Sequence, residues 1–227
     1  MASASASPET AYPESVEGLA GRVLDTLLGV QDAAPARDPL DGAAEHKTAL
    51  AAIRVLGPDL FVPPVLTGAT CLPDDVAAVA AAFRVFPPAR ADVPAEAVLA
   101  WRDWATAHLL ARYGGDDLGL PQPPGGCAPT HPWDWRAWSV RMAQLSPLAL
   151  PGLDSPVHDA ACDIPVALSQ GLTRAMLRRD YPTAARLVRW LALVCSIGGV
   201  SPVDPGAVVA HLELLGGGGA RTTLDLT

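Results

Sequence analysis

Apolar and polar positions repeat with a helical period along most of this chain. In the first such segment Leu19, Val23 and Leu27 recur at four-residue intervals and form one apolar stripe. Comparable stripes return at intervals down to the C-terminal region. The segments that this periodicity predicts as helices are 14–30, 40–56, 73–86, 94–113, 132–145, 155–163, 164–179, 182–197 and 205–215.

Proline marks the expected beginnings of many of these helices. It fits the first helical turn because its fixed φ suits a helix and its missing N–H would be unpaired there. The prolines in such positions are Pro73, Pro94, Pro132, Pro156, Pro182 and Pro205. Segment 57–71 holds three prolines and two glycines and is predicted to be an irregular connection that packs on the core. The pattern predicts an all-α fold: a compact multi-helix domain of about seven to nine helices with long Pro/Gly-rich loops.

The breaker residues also suggest a domain organisation. Residues 1–12 have the composition of a flexible N-terminal tail, and 13–215 are expected to form a single helical domain. The longest Gly/Pro-rich stretch, 114–132, is the place where two lobes of that domain would meet. Residues 216–227 begin with four glycines and are expected to be a disordered tail or a short strand.

Composition indicates the source and the compartment. The chain has a single lysine, Lys47, and no asparagine, and both residues have A-rich codons, so we expect a GC-rich genome of the actinobacterial kind. The N-terminal residues have neither the basic nor the apolar region of a signal peptide. The longest apolar run, 190–197, is far shorter than the roughly 20 residues that span a bilayer. The expected location is the cytoplasm, with reduced cysteines.

The formal net charge of −8 narrows the class of partner. Nucleic-acid binding needs a basic footprint, and anionic membranes attract basic surfaces, so neither is expected. The sequence also contains no phosphate-binding glycine loop, no zinc-protease or serine-hydrolase motif and no dinucleotide fingerprint. No reaction is therefore indicated by a motif.

Two Cys/His pairs form the sharpest chemical pattern. Cys127 precedes His131 by four residues, and His158 precedes Cys162 by four. Thiolate and imidazole are the ligands that tetrahedral zinc prefers, so these four residues are a candidate site for zinc or iron. The spacing differs from standard zinc signatures. The alternative without a metal is that Cys162 is a buried core residue and that both histidines lie at helix starts or at the surface. A nucleophilic set of Cys127, His131 and Asp134 is another use of the same loop.

Aromatic rings cluster beside this Gly/Pro-rich loop. Trp135 and Trp138 lie one helical turn apart and are expected in the core, whereas Trp133 precedes the helix. Indole rings line pockets for apolar ligands and anchor protein interfaces. Trp133 is therefore a candidate contact for a small apolar ligand or a protein partner.

Arginines concentrate on a predicted helical hairpin within an otherwise acidic chain. The candidate binding residues are Arg174, Arg178, Arg179, Arg186 and Arg189. Guanidinium groups bind carboxylates and phosphates, so this patch would receive an acidic peptide, a phosphate group or an acidic face of a partner. The competing interpretation is a solvated surface paired with Asp180 and Glu213.

These observations together predict a cytoplasmic helical binding or accessory protein, and the expected bacterial source suggests a biosynthetic enzyme as its partner. Its ligand would be a protein or a small apolar molecule, and a homo-oligomer remains open. The alternative is a small all-α enzyme or metalloprotein with its Cys/His site in the 127–162 region.

Overall fold

A computed structural model describes residues 8–30, 43–123, 134–215 and 218–227. Within these ranges the chain forms eleven α-helices and three short 3₁₀-helices and contains no strand, which confirms the all-α prediction. The helices are α1 Pro8–Leu27, α2 Ala43–Leu56, α3 Val62–Thr67, α4 Pro73–Val85, α5 Ala97–Arg112, α6 Trp135–Gln144, α7 Pro156–Asp163, α8 Pro165–Leu177, α9 Tyr181–Ser196, α10 Pro205–Leu215 and α11 Ala220–Asp225. The two helices beyond the predicted nine are the six-residue α3 and α11.

Proline begins these helices largely as the sequence predicts. Pro73, Pro156 and Pro205 are the first residues of α4, α7 and α10. Pro165 separates α7 from α8 because it cannot donate the hydrogen bond that would continue the first helix. Ser155 is the N-cap of α7, and its hydroxyl accepts a hydrogen bond from the backbone N–H of Val157.

The chain divides into two compact units, and the described residues of Met1–Pro88 and Thr106–Gly119 form the first. In this unit α2 packs against α1 and α4, and α1 packs against α3. Leu50, Ile53 and Leu56 project from α2 into the core, as their spacing predicts. The prediction of a single domain is not decided by this division and stays a prediction.

One helical stretch in the described part of the chain is long and apolar enough to cross a membrane. It covers Glu45–Thr67 and has a mean hydropathy of 1.5. Core helices pass the same test, and 67 % of this stretch is buried inside the protein. Its packing against α1 and α4 accounts for its apolar character.

The prediction of an irregular connection over 57–71 is wrong for most of its length. Gly57–Phe61 is a 3₁₀-helix, and α3 follows it directly. Proline is tolerated in the first turn of a helix, and Pro63 and Pro64 occupy that turn of α3. Three prolines in this segment therefore begin new helical turns instead of preventing them.

The described residues of Ala89–Ala105 and Leu120–Thr227 form the second unit. Helix α9 is its centre and packs against α6, α7, α8, α10 and α11. Trp190 on α9 is fully buried, and its indole N–H donates a 2.8 Å hydrogen bond to the carbonyl of Met142 on α6. This bond satisfies the only polar atom of a large core side chain, so it fixes α6 and α9 together.

The predicted hairpin within 168–194 is formed by α8 and α9, which are in extensive contact. Gly171 lies on the buried side of α8, where α6 approaches closely. A Cβ atom at Gly171 would lie only 2.3 Å from the Cβ atom of Ser139 on α6. The absence of a side chain at this position is therefore what allows α6 and α8 to pack at their observed distance.

Helix α8 ends in a Schellman motif with an arginine in the left-handed position. The N–H of Asp180 bonds to the carbonyl of Ala175, and the N–H of Arg179 bonds to that of Met176. Arg179 has a φ of +58° and is the only non-glycine residue with positive φ among those described. A side chain at this backbone conformation costs free energy that glycine would not incur.

We expect Arg179→Gly to raise the free energy of unfolding by about 0.5–1 kcal/mol, because it removes this left-handed strain. Chemical denaturation of the two proteins would measure the difference. Arg178→Gly is the matched control, since Arg178 has an ordinary helical φ of −91° and should lose stability on the same substitution. Equal effects of the two substitutions would contradict the assignment of strain to Arg179.

The C-terminal segment differs from the predicted tail or strand. Residues from Ala220 form α11, which packs against α9, with Gly219 at its N-cap. Leu224 and Asp225 are buried, with relative exposures of 1 % and 3 %. Threonine and glycine disfavour helix in isolation, so tertiary contacts of these two side chains stabilise the helix.

Candidate functional site

A buried carboxylate connects α11 to two other parts of the second unit. Asp225 accepts a 3.2 Å hydrogen bond from Nε of Arg186 and a 3.3 Å hydrogen bond from the hydroxyl of Ser146. Nη1 of Arg189 lies 3.7 Å from Oδ1 of Asp225, the oxygen that also accepts the hydrogen bond from Ser146. A buried charge must be compensated by such partners, so Asp225 and the α9 arginines form one ionic cluster.

A cavity of about 360 Å³ lies beside this cluster, and we call it the arginine cavity. Residues of the 3₁₀-helix Pro94–Glu96 and of α5, α6, α9 and α11 form its wall. Its apolar lining consists of Ala95, Val98, Leu99, Ala143 and Pro147. Its polar lining consists of Arg102, Gln144, Ser146, Arg186 and Arg221.

All charged residues in the described lining of the arginine cavity are positive. Its charged lining residues are Arg102, Arg186 and Arg221, and none of the described residues that form the wall is an aspartate or glutamate. Guanidinium groups stay protonated at all ordinary pH values and present donors in a planar fork. The cavity is therefore a local positive site on a chain whose net charge is −8.

Three separate elements position these arginines. Arg102 follows Trp101 on α5, and the fully buried Trp101 ring packs edge-to-face on Trp104 with centroids 5.6 Å apart. Arg186 lies on α9, the most extensively packed helix of the unit. Arg221 lies on α11, which Leu224 and Asp225 anchor. The donors therefore come from packed helices instead of loops, which restricts their movement.

Helix α11 also lines a second cavity of about 300 Å³. Thr222 and Thr223 of α11 line it together with Leu226, which follows α11, and Leu212 of α10 and Tyr181 of α9 line its other side. This cavity contains no arginine among its described lining residues. Glu213 is the charged residue among the described lining of this second cavity, whereas the arginine cavity has three arginines, which makes it the stronger candidate for binding an anion.

The five arginines of the predicted patch have different roles in the structure. Arg186 lines the arginine cavity, and Arg189 is buried beside Asp225. Arg178 and Arg179 are exposed at the end of α8, and Arg174 is half-buried on that helix. The carboxylate that pairs with Arg186 and Arg189 is Asp225. Of the two acids proposed as surface partners, Asp180 is the N-cap of α9.

His158 is held as a neutral core side chain. Its Nε2 lies 2.9 Å from the carbonyl of Leu148, which can only accept, so we assign the proton to Nε2. Nδ1 then accepts from the hydroxyl of Ser155 at 2.8 Å. The ring also packs edge-to-face on Trp190, with centroids 5.4 Å apart. Both ring nitrogens thus have partners within the protein.

Of the four candidate metal ligands, His158 and Cys162 lie in the part of the chain that the structure describes. Cys162 is exposed on α7, and desolvation together with Asp159 and Asp163 raises the pKa of its thiol, which disfavours the thiolate. Within the described ranges no group of three or more metal-ligating side chains converges. Cys127 and His131, as well as Trp133, lie outside the described residues, so the zinc or iron site and the Trp133 contact stay predictions.

Burial lowers the pKa of His158 below its ordinary value of 6.5, although the Leu148 carbonyl, Asp154 and Asp159 act in the opposite direction. The folded state therefore binds fewer protons than the unfolded state when the pH is below 6.5. The stability due to neutral His158 is complete above this pH and is lost as the pH falls towards the lower folded pKa. We expect His158→Gln to reduce the loss of unfolding free energy between about pH 7 and about pH 5, by at most about 1.4 kcal/mol per pH unit.

Denaturant titrations at several pH values would measure this effect. His211→Gln is the control, because His211 is exposed on α10. An unchanged pH dependence in the His158 variant would show that His158 is not kept neutral by the fold.

Arg102 and Arg221 are not among the site residues that the sequence patterns predict. A signal for Arg102 is present, since it lies between Trp101 and Trp104 on a helix of mostly apolar residues. Arg221 carries no such signal, because the pattern after Gly219 is too short to predict a docked helix. Their convergence depends on tertiary packing alone.

No protein-family model, no curated protein and no solved structure matches this chain. The fold and the site define an all-α protein with an arginine-lined cavity.

Proposed function

We propose that this is a helical binding protein whose arginine cavity takes a small anionic ligand bearing a carboxylate or phosphate group. The observation that carries the proposal is the convergence of Arg102, Arg186 and Arg221 on one cavity without a carboxylate among its described lining residues. Guanidinium groups that line one cavity repel one another, and a bound anion would reduce this repulsion from the cavity side, as Asp225 does for Arg186 from behind the wall.

The size and the remaining lining define the ligand further. A cavity of about 360 Å³ is at the small end of the range for ligand sites, which suits a compact molecule. Gln144 and Ser146 add neutral polar groups, and Val98, Leu99 and Pro147 add an apolar wall. A short aliphatic acid such as succinate would place its methylene groups on that wall and its carboxylates on the arginines.

An accessory role beside a biosynthetic enzyme remains part of the proposal. The anionic group would then be an acidic side chain of the partner, inserted into the same cavity. The chemistry at the arginines is identical in the two cases, so the source of the anion is a matter for experiment. The acidic surface of the chain makes association with another acidic surface unfavourable, which favours the small ligand.

Isothermal titration calorimetry of the purified protein with succinate, inorganic phosphate and a blocked peptide containing one glutamate tests the proposal. Saturable one-to-one binding of succinate or phosphate is the expected result. Binding of the peptide alone would assign the anion to a protein partner. No binding of any of the three probes would contradict the proposed function.

Dependence on the cavity arginines separates specific binding from general attraction. We expect Arg102→Gln and Arg221→Gln each to weaken succinate binding by about tenfold or more, because each removes a charge-assisted hydrogen-bonding group. Arg174→Gln removes the same charge outside the described lining of the cavity and should leave the affinity within about twofold.

A further inference from the structure

Helix α11 has two connections to the arginine cavity. Its first turn supplies Arg221 to the wall, and its last residue, Asp225, contacts two other lining residues, Arg186 and Ser146. Asp225 itself is not part of the described lining. The Asp225 carboxylate thus holds α11, the helix that carries Arg221, and it also bonds directly to Arg186.

We infer that Asp225 is a positioning residue that assembles the arginine cavity, so that the site is complete only when α11 is docked. This inference rests on the proposed function. Asp225 is only 3 % exposed, and its partners Arg186 and Arg189 have side chains that are 31 % and 6 % exposed. In this environment an ion pair is screened little by solvent and restricts the guanidinium of Arg186.

The geometry allows Arg186 to bond to Asp225 and to a ligand in the cavity at the same time. The hydrogen bond to Asp225 uses Nε, and the guanidinium fork carries two further nitrogen atoms with N–H donors. A ligand in the cavity can bond to those atoms while Asp225 keeps the side chain oriented. Pre-oriented donors bind more tightly because less conformational entropy is lost on binding.

This role predicts an effect opposite in sign to simple electrostatics. Removing a negative charge beside an anion site should strengthen anion binding if charge alone matters. If Asp225 positions α11 and Arg186, its removal should instead weaken binding, because Arg221 leaves the wall and Arg186 loses its restraint. The two accounts therefore differ in the direction of the change.

Calorimetric titration of Asp225→Asn with succinate or phosphate, whichever binds the unmodified protein more tightly, distinguishes them. We expect a loss of about tenfold or more in affinity. Asp163→Asn is the matched control, because Asp163 is exposed at the end of α7 and loses the same charge without touching the cavity. Leu224→Ala removes a buried contact of α11 without any change in charge and should lower the affinity in the same direction.

Hydrogen exchange of the unmodified protein gives a readout that does not depend on the stability of a variant. Because the ligand contacts Arg221, saturation with the probe should slow exchange in the peptide that contains α11, beyond any change in α7. Such protection would show that α11 belongs to the binding site, and its absence would show that α11 does not contribute to binding. Far-UV circular dichroism would establish that each variant used for calorimetry is folded.

The outcomes separate the two proposals. Probe binding by the unmodified protein, with slower α11 exchange and weaker binding by Asp225→Asn, supports the positioning role. Equal or tighter binding by folded Asp225→Asn overturns it, as does unchanged α11 exchange at saturation. Failure of the unmodified protein to bind any probe contradicts the proposed function itself.

Discussion

Replacing Arg186 with glutamine should weaken succinate binding by about a hundredfold, the largest effect that we expect of any cavity substitution. Two contributions combine at this position. The substitution removes a charge-assisted donor from the cavity wall, and it also removes the hydrogen bond that Nε of Arg186 donates to Asp225. Charge-assisted hydrogen bonds contribute about 1.5–3 kcal/mol, which corresponds to about ten- to a hundredfold in affinity.

Arg178→Gln is the matched control for this experiment. It lies on the same helical hairpin and loses the same charge, but it is exposed and lies outside the described lining of the cavity. Calorimetric titrations of both variants should show strong weakening only for Arg186→Gln. Similar weakening in both would indicate attraction to the general charge of the hairpin, and the cavity would not be the binding site.

Gly171→Ala should destabilise the protein by about 1–2 kcal/mol. The new Cβ atom would lie 2.3 Å from the Cβ atom and 2.7 Å from the hydroxyl oxygen of Ser139. A Cβ atom is fixed by the backbone, so relief requires α6 and α8 to move apart. Overpacking of this kind typically costs about 1–3 kcal/mol, and the gain in helix propensity offsets less than about 1 kcal/mol of it.

The same substitution at Gly18 should have the opposite sign. Gly18 is exposed on α1, where a Cβ atom would meet nothing closer than 3.8 Å, at a terminal nitrogen of Arg22. Gly18→Ala should therefore stabilise the protein by about 0.5–1 kcal/mol. Denaturant titration would measure both, and Ser139→Gly should partly restore the stability of Gly171→Ala. Without that rescue, the contact between α6 and α8 would not be the cause.

Local sequence signals predicted most of this fold because they act within a few residues. Pro73 and Pro205 set helix starts, and the apolar spacing of Leu50, Ile53 and Leu56 set a buried face. The exceptions depend on tertiary contacts. Helix α3 contains two prolines in its first turn, and α11 is held by the ion pairs of Asp225. The contacts that stabilise these two short helices come from residues distant in the sequence, so a local pattern does not predict them.

The candidate site could be predicted only in part for the same reason. Clustering along the chain identified Arg186, which lines the cavity, together with Arg178 and Arg179, which do not. Arg102 and Arg221 are 119 positions apart and come together only through packing around α9. Charge density along a sequence therefore indicated the kind of chemistry but not the set of residues that shares one cavity.

The most direct test of the central claim is an NMR titration that follows the arginine Nε–Hε signals of the labelled protein as succinate and, in a second titration, inorganic phosphate is added. The account predicts saturable shifts of Arg102, Arg186 and Arg221 with one common dissociation constant, while the exposed Arg178 and Arg179 stay unchanged. Equal, non-saturating shifts of exposed and cavity arginines, or no shifts at all, would contradict it.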